Sequence, residues 1–175
     1  MRRPMILLVA VALAAAACGG DDDTTTEAVA TDNGGTETAS PAAIVIERIE
    51  FVGDRIVLRN TGDAPYDLTG HWICNRPSYA ELPAEVIAPG ATFEVAASTV
   101  GLDAGSGELA VYTQREFDSA DAIVRYVAWG AAGQGRQGTA TEAGLWGADD
   151  FVDNQGSGLV SSGDDPVGSG DWSTG

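Results

Sequence analysis

Lysine is absent from this 175-residue chain, whose nine basic residues are all arginine, against 26 acids, for a formal charge of −17 at pH 7. Such a surplus repels phosphate backbones and anionic headgroups, which excludes nucleic acid as a partner. Histidine occurs once, as His71. A Ser-His-Asp triad would have to use it, and no G-x-S-x-G nucleophile elbow accompanies it. A blue-copper site needs two histidines and a cysteine, so that chemistry is excluded as well. The apolar run from Met5 to Ala17 falls short of the ~20 residues that span a bilayer core. Neither a cofactor nor a metal is expected, nor catalysis.

The N-terminus is organised nonetheless. Arg2 and Arg3 precede an apolar stretch from Met5 to Ala14, then Ala15, Ala16 and Ala17, then Cys18. That is the layout of a secretory signal with a small-residue cleavage site. It resembles the lipobox of bacterial lipoproteins, with Ala15 where a leucine is usual. The resemblance implies cleavage before Cys18, lipidation of its thiol and anchoring at the outer face of the cell membrane, where two or more acyl chains hold stably. Residues 1–17 are then a signal peptide. Cys74 becomes the only remaining thiol, so an intrachain disulfide is excluded. It is expected as a small buried core residue, the alternative being a reactive or interchain thiol.

Residues 18–43 read as the lipidated cysteine and a disordered acidic linker, because Asp, Thr, Glu, Gly, Ser and Ala cannot bury enough apolar surface to order it. As a coil it reaches about 25–30 Å. From Ile44 the texture changes to short runs of β-branched and aromatic residues between turn signals: Ile44 to Phe51, Arg55 to Asn60, His71 to Cys74, Thr92 to Ala96, Leu109 to Thr113 and Ile123 to Trp129. Outside the N-terminus no window of ten residues has helical periodicity. Short strands at this spacing predict an all-β, immunoglobulin-like antiparallel β-sandwich over 44–152. Residues 153–175, rich in Gly, Ser and Asp, are either disordered or one loosely attached edge strand.

The stretch from Arg55 to Trp72 resembles the core of lamin-tail domains, with Asn60, Gly62, Asp63, Pro65, Asp67, Leu68, Gly70 and Trp72 on the family's turn-and-strand pattern. His71 is inserted before the tryptophan, and Tyr66 stands where valine is usual. Pro89-Gly90 is similar to the family's next turn, and Val124 to Gly130, including Trp129, to its closing strand, with Arg125 in place of an acid. The resemblance implies a sandwich that acts at the cell envelope as a non-catalytic interaction module. Physically, Asn60 and Asp63 suit local backbone bonding, Gly62 and Gly70 suit positive φ, and Leu68 and Trp72 suit the space between sheets.

Two further motifs compete for function. Gly133, Gly135 and Gly138 match G-x-G-x-x-G, but without a βαβ unit the reading is a flexible loop with Arg136 at its tip. Trp146 and Phe151 either cap the sandwich or join Tyr79 and Arg136 in a contact patch. In the second case Tyr79, Arg136 and Trp146 are the candidate ligand-binding residues of a polysaccharide- or small-ligand-binding domain. Asp149, Asp150, Asp153, Asp164, Asp165 and Asp171 would supply oxygens if Ca²⁺ assisted. The partners expected are therefore the membrane, through the anchor, and an unidentified envelope protein or polysaccharide.

Overall fold

The computed structural model describes residues 43–154, 156 and 158–175. Cys18, the signal peptide and the linker apart from Ala43 lie outside the described residues. The sheets begin with a hairpin, β1 (Ile44–Glu50) and β2 (Arg55–Asn60). Ile44, Ile46 and Ile49 break the two-residue period of a strand, and all are buried. A β-bulge between Ile46 and Arg48 restores the phase, so that all three face the core.

The chain continues through β3 (Tyr66–Asp67), β4 (Trp72–Asn75), β5 (Ser78–Glu81), β6 (Val86–Ile87), β7 (Thr92–Val95), β8 (Gly107–Tyr112) and β9 (Ile123–Trp129). A short helix α1 (Gln137–Glu142) precedes β10 (Gly158–Ser161) and β11 (Trp172–Thr174). Among the described residues the strands form a five-stranded sheet, β11-β10-β1-β2-β7, a four-stranded sheet, β5-β4-β8-β9, and a small β3-β6 pair. Every pairing between these strands is antiparallel. The fold is an all-β antiparallel sandwich. Ile46, Ile56 and Leu58 of the larger sheet share one core with Ile73, Leu109 and Val127 of the smaller.

The motif residues organise one end of the sandwich. Asn60 is fully buried, and its side-chain amide donates to Ala64 O (2.8 Å) and Ile87 O (2.9 Å) while its Oδ1 accepts from Gly62 N (2.9 Å). Its backbone ties the same loop to the Pro89-Gly90 turn, through Gly90 N to Asn60 O and Asn60 N to Ala91 O. Gly90 and Gly70 adopt φ of 71° and 76°. Gly62 does not; it is small because a Cβ there would stand 2.8 Å from the Ala43 Cβ. Asp63 and Pro65 are exposed. Leu68 is fully buried, whereas Trp72, expected beside it in the core, is half-buried on the outward side of β4. At the other end Trp129 is fully buried, donates Nε1–H to Asp103 O (2.8 Å) and packs against Phe51.

Two expectations are corrected. Residues after Asp153 contribute two strands. β10 sits inside the larger sheet, with Leu159 opposite Ile49, and β11 buries Trp172. One inward apolar residue per strand is all such short strands need, which is why the composition reads as tail. Second, β8 is buried along its whole length, so both of its faces are covered. The outer cover is the Gly-rich segment after Trp129, which is a packed layer and not a free loop. Arg125, in turn, reaches between the sheets: Nε donates to Ile44 O (2.6 Å), and Nη2 lies 3.0 Å from Asp165. Burial lowers its pKa and Asp165 opposes that shift.

Candidate interaction surface

Strand alternation assigns Cys74, Glu108, Ala110, Tyr112 and Tyr126 to the outer face of the smaller sheet, since Cys74 pairs with Ala110 and Ala110 with Tyr126. Glu108 is the unexpected member. In the run Gly107-Glu108-Leu109-Ala110-Val111 its outward position suggests solvent, yet it is 1% exposed. Its carboxylate accepts from Arg76 N (3.2 Å) and Arg136 N (2.6 Å), and so joins the β4–β5 turn to the segment that leads into α1. A Cβ on Gly135 would stand 2.0 Å from Glu108 Oε1, so only glycine admits the carboxylate there.

Gln137 is a second organiser that the sequence did not single out. It is buried, and its Nε2 donates to the carbonyls of Gly147, Ala148 and Asp150 at 2.7 to 3.0 Å. Its Oε1 accepts from Gly133 N. These bonds fold the glycine motif onto the sheet. Nothing in the local pattern distinguishes this glutamine from a surface residue. Trp146 completes the layer: it is 3% exposed, packs edge-on to Tyr126 at 5.7 Å and donates to Asp150 O. It therefore caps the sandwich, and the surface trio of Tyr79, Arg136 and Trp146 is not assembled.

Tyr79 and Arg136 do meet. Arg136 Nη2 donates to the Tyr79 hydroxyl (2.7 Å), its guanidinium lies 5.7 Å from the ring centroid, and Nη1 pairs with Asp118. Burial works against the Arg136 charge, but these partners outweigh it and raise its pKa. Tyr79 stacks on Phe117 at 4.2 Å, Phe117 meets Trp72 at 5.7 Å, and Arg115 lies over Trp72 at 5.2 Å. The result is a continuous ladder of guanidinium, indole, phenyl, phenol and guanidinium. Trp72, Tyr79 and Phe117 are half-buried, and Arg115 is exposed. Tyr112 anchors the ladder's loop by donating its hydroxyl to Phe117 O (3.0 Å).

Beneath the ladder, Cys74 is free and fully buried, and burial, with the Glu108 charge adding to it, pushes its pKa up to about 12. Burial likewise raises Tyr112 and Tyr126. Four of the loop aspartates are engaged within the protein. Asp150 accepts from Ser169, Asp164 pairs with Arg59, Asp165 with Arg125, and Asp171 accepts from Val167 N. Among the described residues no three His, Cys, Asp or Glu are grouped to hold a metal. On the opposite sheet a groove of 320 Å³ runs between Arg48, Glu50, Val52 and Val160, and contains none of the candidate binding residues.

Comparison with known proteins finds no matching family model, curated protein or solved structure.

Proposed function

We propose that this protein is a bacterial lipoprotein, held at the outer face of the cell membrane by lipid on Cys18, whose lamin-tail-like sandwich is a non-catalytic interaction module of the cell envelope. The anchoring half rests on Arg2, Arg3, the apolar run and Ala15-Ala16-Ala17-Cys18. The family half rests on the resemblance of the Asn60-to-Trp72 pattern, within which Asn60 bonds the loop and Leu68 is buried.

The observation that carries the interaction reading is the Arg115–Trp72–Phe117–Tyr79–Arg136 ladder. Trp, Tyr and Arg are the residue types that anchor protein interfaces, since each offers a large contact area with a polar end. A polysaccharide reading keeps Tyr79 and Arg136 but loses Trp146 to the core, so the protein partner is preferred. The test pairs localisation with binding. Cys18→Ser is expected to move the protein from the membrane to the soluble exported fraction, and Trp72→Ala to reduce capture of its envelope partner while leaving it membrane-bound. Retention of the Cys18→Ser protein in the membrane refutes the anchor. Undiminished capture by Trp72→Ala refutes the contact face.

A further inference from the structure

We propose that the ladder face docks a protein whose contact surface has a basic rim and a carboxylate opposite Arg115; the inference rests on the interaction-module reading above. Three observations set that chemistry.

The first is preorganisation. Each ring of the ladder is already immobilised by its neighbours at 4.2–5.7 Å, and its loop is pinned by the Tyr112 hydroxyl and by the Arg136–Asp118 pair. Side-chain ordering is a principal cost of association, and here the fold has already met it.

The second is the distribution of arginines. Among the described residues, Arg48, Arg55, Arg59, Arg125 and Arg136 each have a carboxylate partner. Arg115 and Arg76 are exposed and have none among the described residues. They lie at opposite ends of the ladder: Arg115 on Trp72, and Arg76 beside Arg136, where the Glu108 carboxylate accepts from both of their backbone N–H groups. A guanidinium seated on an indole presents its donor edges outward, which suits bidentate pairing with a carboxylate.

The third is the surrounding field. Glu81, opposite Trp72 on β5, and Glu116 and Asp121 in the Phe117 loop are exposed around the rings. With a chain charge of −17, this rim steers a basic surface inward and repels a second copy of the chain.

The experiment uses the intact lipidated protein in living cells, with a photo-crosslinking residue in place of Gln114, beside Arg115, or of Glu94, exposed on β7 of the opposite sheet. The expected result is one discrete protein of basic isoelectric point captured from position 114 and not from 94. Its yield should fall as salt is raised and drop about tenfold or more in Arg115→Ala. That variant changes an exposed side chain, and an unaltered circular dichroism spectrum verifies its fold. Capture from 94 alone overturns this face but leaves the interaction-module reading standing. An acidic protein, a glycan smear, or a yield indifferent to Arg115 overturns the partner chemistry. Absence of capture from both positions overturns the inference and the reading beneath it.

Discussion

Replacing Asn60 by alanine removes one side chain and orphans three backbone groups. The bond to Ile87 O is buried, so losing its donor leaves a carbonyl that water does not reach, at about 1–3 kcal/mol. The bonds with Ala64 O and Gly62 N are part-buried and contribute about 0.5–1.5 kcal/mol each. Together the loss is about 2–6 kcal/mol, a large share of the stability of one domain. At this size each kcal/mol moves Tm by about 3–5 °C, so Asn60→Ala should melt about 6–30 °C below the parent in a calorimetric scan. Asn60→Asp makes a sharper test. It keeps the shape and the acceptor for Gly62 N but turns a carboxylate toward two carbonyls. Its folded-state pKa is raised above the unfolded value of about 3.9, so its stability relative to the parent is retained below that pH and lost as pH rises through the raised pKa. Asp63→Ala, at an exposed position of the same motif, should change stability by less than about 0.5 kcal/mol. If Asn60→Ala melts within 3 °C of the parent, or Asn60→Asp shows no added pH slope, Asn60 is not the organiser of this loop.

Gly130→Ala should destabilise by more than about 2 kcal/mol in urea titration, because φ is 78° and the new Cβ would lie 2.1 Å from Gly105 O, a backbone atom with nowhere to go; an unchanged midpoint contradicts it. Glu108→Gln places an amide donor against one of two backbone N–H groups and should cost about 1–3 kcal/mol by the same titration with an unchanged m-value, whereas a surface role for Glu108 predicts a loss under about 0.5 kcal/mol. Cys74 should resist alkylation at pH 8 until the protein is unfolded; rapid labelling of the native chain refutes its burial. Because the folded-state pKa of Cys74 is raised from 9.0 to about 12, its contribution to stability is complete below pH 9 and is lost between 9 and 12, and Cys74→Ala should flatten that part of the stability profile.

The elements legible in the sequence are those whose cause is local. The β1–β2 hairpin follows from two apolar runs around a turn, the Asn60 loop from a polar residue facing its own backbone, and the Pro89-Gly90 turn from a position with φ of 71°. What escaped depends on contacts distant in the chain. Glu108 alternates correctly out of the sandwich, but alternation does not say that residues 130–150 return to cover that face, and so a buried carboxylate reads as a surface one. The same missing layer hides Gln137 and sends Trp146 inward. Leu159 and Trp172 look too sparse to hold strands until Ile49 is placed opposite Leu159. Of the candidate binding residues, Tyr79 and Arg136 meet, and their link through Phe117 to Trp72 and Arg115 rests on a loop packing that no spacing rule encodes.

The most direct measurement is the mass of the N-terminal peptide of the protein isolated from the membrane fraction. The expected result is a chain that begins at Cys18 with diacylglycerol on its thiol. A chain that begins elsewhere, or a Cys18 recovered as an unmodified thiol, contradicts it.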